Sequence, residues 1–198
     1  RRDRRRARRR RGVAAAPAGA VVFIGSSTIV RGNWSEQFPN AVCLNRGFAD
    51  ENAVSLRDRL DASLPRARPG GVVLYAGSAD LRMEGVSPEE AILRVDALVA
   101  DLVDALPGTP IALLEILPCV GASESERTAT EAVARGLART AAAYGSACVR
   151  SRVPPLVDAK GDLPANLAVD RFHLNDAGYK ALAARIRADG GALATALG

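Results

Sequence analysis

Residues 21–27 read Val-Val-Phe-Ile-Gly-Ser-Ser, an apolar run suited to a buried strand that stops on a glycine and two hydroxyls. A serine hydroxyl presented at a strand end can act as a nucleophile if a base and an acid reach it. The chain holds a single histidine, His173, and Asp170 precedes it by three residues. In an irregular loop that spacing lets the carboxylate accept a hydrogen bond from the imidazole Nδ1–H and leaves Nε2 free as a base. A lone histidine is more often a satisfied structural residue. The nearby aspartate, together with a serine across a cleft, raises the catalytic reading, because the three then fill the roles of nucleophile, base and acid.

Apolar runs recur at VVFI, AVCLN, GVVLYAG, IALLEIL and ACVR, five strand candidates bounded roughly by Gly, Pro or Asn. Helical patterns lie between and after them: ENAVSLRDRLDASL, SPEEAILRVDALVADLVDAL, ESERTATEAVARGLARTAAAY and NDAGYKALAARIRA. SPEE supplies a serine N-cap, a proline in the first turn and two acids, a good helix start. In that helix Ala91, Val95, Leu98, Leu102 and Ala105 form one apolar face. Short apolar strands alternating with amphipathic helices predict an α/β fold with a parallel sheet covered on both faces. Ligands of such sheets gather at the carboxyl ends of the strands, where Gly25-Ser26-Ser27, Gly77-Ser78-Ala79-Asp80 and the residues after Asn45 fall.

At 198 residues and 48% hydrophobic content, the chain predicts one domain with one well-filled core. Its charge is uneven. The first twelve residues hold nine arginines and one aspartate, a local +8 in a chain of net +5, so the body carries about −3. The expected division is a basic tail over residues 1–19, disordered or frayed into helix, and a domain over 20–198. The tail could contact anionic surfaces, but no aromatic interleaving or base-reading motif points to specific nucleic-acid binding. Its paired arginines leave a twin-arginine signal open, and the chain starts without Met, so its native N-terminus can be missing. Because the apolar stretch merges into the first strand candidate, no separate signal core stands out. A cytoplasmic location is favoured over secretion, and no membrane span is expected. Cys43, Cys119 and Cys148 lack zinc or disulfide spacing and read as small core residues.

FIGSS, LNRGFAD, YAGSADL and DRFHLNDAGY resemble, in order and spacing, the successive blocks of the SGNH or GDSL hydrolases, over about residues 20–186. The last block is the most specific. The resemblance implies a flavodoxin-like three-layer α/β/α sandwich around a five-stranded parallel sheet. It implies esterase, lipase, thioesterase or carbohydrate deacylase activity through an acyl-enzyme, without metal or organic cofactor. By position, Ser27 matches the nucleophile, with Ser26 where many members have aspartate, and Asp170 and His173 match the acid and the base. The family's oxyanion hole takes the nucleophile N–H, a glycine N–H of the second block and an asparagine amide of the third.

Two positions depart from that pattern. Asp50 stands at the glycine position, and Gly77-Ser78-Ala79-Asp80 has Ala79 where the asparagine belongs. Asp50 still offers a backbone N–H if it adopts a left-handed conformation, which aspartate tolerates. Its carboxylate must point away, because at 4 Å and an effective dielectric near 20 repulsion with an oxyanion is about 4 kcal/mol. Ala79 donates nothing, and one lost oxyanion donor costs about 10² to 10³ in rate. Asn52 and Ser78 are candidates for a recruited donor. Trp34 and Phe38 line the pocket or simply pack, and Arg171 contacts an anionic substrate or is a solvated surface residue.

The leading expectation is therefore a serine hydrolase of small-molecule, lipid or carbohydrate esters. The alternatives are a weakened member that binds an acylated or anionic ligand, and a non-hydrolytic acyl transferase or lyase. A Gly-Ser-Ser turn that binds phosphate without histidine is a further non-enzymatic reading.

Overall fold

The computed structural model describes residues 16–151 and 156–198. The basic run over residues 1–15 lies outside them. At the end of the expected tail, the Gly19 N–H donates to Arg68 O at 3.1 Å.

All five expected strands form, as β1 (Val21–Gly25), β2 (Cys43–Gly47), β3 (Gly71–Tyr75), β4 (Ile111–Leu114) and β5 (Cys148–Ser151). They pair in parallel in the order β2-β1-β3-β4-β5, the flavodoxin-like arrangement. Every residue of β1 and β3 is buried, which explains their unbroken apolar sequence. The edge strand β2 is only partly covered.

Between and beyond the strands lie α1 (Ser27–Val30), α2 (Trp34–Gln37), α3 (Ala53–Asp58), α4 (Leu60–Ser63), α5 (Ser78–Arg82), α6 (Pro88–Ala105), α7 (Glu124–Tyr144), α8 (Asp176–Asp189) and α9 (Ala192–Leu197). Strand alternation splits the core into two layers. Val22, Ile24, Val72 and Leu74 pack with α3, α4, α6 and α7 residues such as Leu56, Leu98 and Val133. Val21, Phe23, Val73 and Tyr75 pack on the other face with Trp34, Phe38, Leu182 and Leu193. The result is the expected three-layer α/β/α sandwich.

Local signals fix the long helices. Ser87 caps α6 by accepting the Glu90 N–H, Pro88 opens the helix, and Glu89 and Glu90 occupy its first turn. Of its expected apolar face, Ala91, Val95, Leu98 and Leu102 are buried with Val99, while Ala105 is only partly covered. A Ser123–Glu126 capping box starts α7.

The expected helix over ENAVSLRDRLDASL is instead two short ones. The break falls at Arg59, whose backbone leaves helical geometry (φ −100°, ψ 6°). The Arg59 guanidinium reaches back to Glu51 and to Arg46 O, which favours that turn over a straight helix. The remaining short helices, α1, α2, α5 and α9, carry too few residues for a helical period to show in sequence. No described helix is long and apolar enough to cross a membrane, and no metal-ligating cluster exists among the described residues.

Candidate active site

Strand order reverses between β1 and β3, so their carboxyl ends open the crevice where sheets of this type bind ligands. Gly25 ends β1 at φ +145°, and a Cβ there would sit 2.1 Å from Tyr75 O, so the close approach of β3 requires glycine. The chain then turns through buried Ser26 into α1, whose first residue is the partly exposed Ser27. Ser26 O accepts the Ile29 and Val30 N–H groups, and among the described residues the Ser27 N–H has no acceptor.

A four-residue helix cannot satisfy its own carbonyls, and three side chains do it from outside. Asn45 Nδ2 donates to Ile29 O at 2.9 Å, Gly32 O at 3.1 Å and Val30 O at 3.2 Å. Trp34 Nε1 also donates to Ile29 O, and the Tyr179 hydroxyl to Thr28 O, each at 2.9 Å. The turn that carries Ser27 is thereby clamped by β2, α2 and α8.

Across the crevice, Asp170 Oδ1 accepts the Phe172 and His173 backbone N–H groups at 2.8 and 2.9 Å. Both Asp170 oxygens also contact His173 Nδ1, Oδ2 at 2.7 Å and Oδ1 at 2.9 Å. An ionised carboxylate only accepts, so Nδ1 carries the proton and Nε2 is left with its lone pair. The Phe172 N–H is the main cause that holds the Asp170 carboxyl down to about 2; partial burial opposes it, and the His173 ring and N–H add to it. The loop is pinned by Val169 N–H to His173 O at 2.9 Å and Val120 N–H to Arg171 O at 2.8 Å.

Ser27 and His173 line one cavity of about 250 Å³, with Ser26, Thr28, Asp50, Ser78 and Ala79. No hydrogen bond joins Ser27 to His173 among the described residues. Asp50, at φ +56°, is the one non-glycine residue of the described chain in the left-handed region, and its N–H has no acceptor there. Gly77, at φ +97°, caps α5, and Ala79 on its first turn is 6% exposed. Ser78 Oγ lies 3.3 Å from Ser26 Oγ, and both residues are buried. Asp80 Oδ2 accepts the Ala53 N–H at 2.9 Å, and Oδ1 pairs with Arg94 at 3.3 Å, which ties the turn after β3 to the loop after β2.

Four other candidates, Asn52, Trp34, Phe38 and Arg171, stand outside the cavity. Asn52 caps α3, accepting the Ser55 N–H at 2.7 Å, and donates its amide to Glu84. Trp34 is 2% exposed and stacks on Phe23 at 4.4 Å, in the core behind α1 with Phe38. Arg171 pairs with Glu126 at 2.6 Å. Conversely, Tyr75, Arg82, Met83 and Phe172 line the cavity without having been singled out. Phe172 sits between Asp170 and His173, and Arg82 and Met83 follow Ala79 by three and four positions, one helical face. Those spacings were the available signal. A larger open groove of about 600 Å³, lined by Arg57, Glu90, Arg94 and Asp101, contains neither Ser27 nor His173.

The sequence profile of the GDSL-like lipase/acylhydrolase family matches residues 7–181. The chain belongs to that family. Solved structures agree in fold. A Streptococcus pneumonia protein provisionally assigned as a platelet activating factor is 23% identical, with a TM-score of 0.81 over 94% of this chain and 91% of that one. A GDSL-like lipase from Bacteroides thetaiotaomicron is 20% identical, with a TM-score of 0.69 over 97% of each chain. A variant of an acetyl-xylooligosaccharide esterase from Geobacillus stearmophilus is 18% identical, with a TM-score of 0.68 over 91% of this chain and 96% of that one. No curated protein matches the sequence. The GDSL-like profile begins inside the arginine-rich segment, before the expected domain start at residue 20.

Proposed function

We propose that this GDSL-like protein is a serine esterase or acylhydrolase in which Ser27 is the nucleophile, His173 the general base and acid, and Asp170 the residue that orients it. The observation that carries the reading is the Asp170–His173 Nδ1 contact at 2.7 Å in the same cavity as Ser27. Ser27 Oγ attacks the acyl carbonyl and gives its proton to His173 Nε2. His173 then protonates the leaving alcohol or thiol, and a water activated by the same nitrogen releases the acid from the acyl-enzyme. Asp170 stays ionised and stabilises the imidazolium.

The developing oxyanion is received by the N–H groups of Ser27 and Asp50. The left-handed Asp50 backbone offers that N–H as a glycine would. The third donor is missing at Ala79, and Ser78, a buried polar residue, lines the wall of the same cavity. That wall favours slow turnover, and it also favours a second reading, in which the cavity binds an acylated ligand without cleaving it.

Hydrolysis of short p-nitrophenyl esters by the intact protein, beside folded Ser27→Ala, separates the two. Loss of activity by about 10⁴-fold, or to background, in the variant is the expected result. Equal rates in both proteins would remove Ser27 as the nucleophile.

A further inference from the structure

The cavity that holds Ser27 and His173 also holds a cation without a carboxylate partner. Arg82 lines it, and among the described residues no acid pairs with Arg82. Arg171, the arginine singled out in the sequence for an anionic substrate, is neutralised by Glu126 at 2.6 Å and does not reach this cavity. Arg82 is instead fixed from two sides. One Nη donates to Leu117 O beyond β4, and the guanidinium lies 5.7 Å from the centre of the Phe172 ring, next to His173.

A guanidinium presents five N–H donors in a planar fork, and the Leu117 carbonyl engages one edge of it. The other charged residue on the cavity wall, Asp50, follows β2. In the strand order β2-β1-β3-β4-β5, Asp50 and the Leu117 anchor of Arg82 therefore lie on opposite sides of β1, which delivers Ser27. The cavity is negative on one flank of the nucleophile and positive on the other.

We infer that Arg82 selects substrates carrying an anionic group, a carboxylate or phosphate, which its free guanidinium edge binds while the acyl carbonyl lies at Ser27. This rests on the hydrolase reading above. The group sits on the β3–β4 flank, away from Asp50, and reaches it from either the acyl or the alcohol half of the ester. Arg82 is preorganised by Leu117 and Phe172, so little side-chain freedom is lost on binding.

The test compares kcat/KM for matched pairs in the intact protein. For the acyl half, the mono-p-nitrophenyl ester of adipic acid is set against p-nitrophenyl hexanoate. For the alcohol half, p-acetoxybenzoate is set against its methyl ester. One pair should show a preference of about tenfold or more for the anion, reduced to about one in Arg82→Gln. The responding pair identifies the half that carries the charge. No preference in either pair, or a preference unchanged by Arg82→Gln, overturns the inference.

Should Arg82→Gln fail to fold by circular dichroism, Arg82→Lys carries the test. It keeps the charge without the fork, and a preference equal to that of the wild type overturns the inference. If the wild-type protein hydrolyses none of the four esters, the hydrolase reading fails separately. Calorimetry with adipate and p-hydroxybenzoate then decides the role of Arg82. Binding weakened by about tenfold in Arg82→Gln supports it, and equal or absent binding in both proteins overturns it.

Discussion

On one flank of the cavity, three N–H groups from Phe172 and His173 converge on the Asp170 carboxylate within four consecutive residues. On the other flank, Asp50, Gly77 and Ala79 come from the ends of two strands, and no side chain at position 79 donates a hydrogen bond. The acid–base flank is a local turn that its own sequence specifies. The flank proposed to receive the oxyanion depends on how separate strand ends are juxtaposed, so the residue type at position 79 can change there without disturbing the fold. The comparison teaches that, in the proposed reading, the proton-transfer side is built by a single loop while the charge-stabilising side lacks one donor.

The largest effect is expected on the local flank. Asp170→Asn retains an oxygen for the Phe172 and His173 backbone N–H groups but withdraws the charge that fixes the Nδ1–H tautomer. Turnover should fall by about 10³ to 10⁴, read from kcat on a single ester. An unchanged kcat would mean that the backbone alone orients His173. The same variant makes a statement about stability. Asp170 is held below its ordinary value of 3.8, at about 2, so its contribution to folding is fully present above about pH 4 and is lost as pH falls through about 2. Melting temperatures of wild type and Asp170→Asn should therefore differ most above pH 4 and converge in stronger acid. With the side chain 47% exposed, the gap is expected to be small.

The next effect runs in the opposite direction and tests the weak flank. Ala79→Asn restores a side-chain amide on the first turn of α5, beside a cavity of about 250 Å³ that has room for it. Since one oxyanion donor is worth about 10² to 10³ in kcat, and an introduced one is imperfectly aligned, a gain of about 10- to 100-fold is expected. No gain in a folded variant would mean that another group already fills the role.

The same contrast explains which features are legible in the sequence. Asp170 and His173 were legible because three positions in one loop determine their contact. The place of Ser27 just past a strand end was legible because an apolar run stops beside it. The five strands and four long helical patterns were legible because burial leaves an unmistakable pattern, although Arg59 divided one of those helices through contacts with Glu51 and Arg46 that no local period announces. Asn45 reaches α1 from β2, and its three hydrogen bonds, two to that helix and one to Gly32 O just after it, were not legible. Nor was the exchange between arginines. Arg171 sits in the Asp170–His173 loop yet pairs with Glu126, while Arg82, on α5, lines the cavity.

A smaller effect is expected at Ser78, which lines the cavity and whose hydroxyl lies 3.3 Å from Ser26 Oγ. If this hydroxyl partly replaces the missing amide, Ser78→Ala should lower kcat by about 3- to 10-fold with KM little altered. A change confined to KM would place Ser78 in substrate binding instead. Combining Ser78→Ala with Ala79→Asn sharpens the point, because two groups serving one oxyanion should give less than additive effects.

The smallest catalytic effect belongs to Asn52, two residues beyond Asp50. Its carbonyl oxygen caps α3 by accepting the Ser55 N–H, and its amide donates to Glu84, so both ends of the side chain are engaged outside the cavity. Removing an N-cap of this kind costs about 1 kcal/mol of stability. The loop geometry at Asp50 should survive, because Asp80 separately accepts the Ala53 N–H at 2.9 Å and holds the start of α3 in place. Asn52→Ala should accordingly lower the melting temperature while turnover per folded molecule stays close to that of the wild type. A fall in kcat of about tenfold, with stability unchanged, would instead place the Asn52 amide at the oxyanion and make the two flanks of the cavity more alike than their geometry indicates.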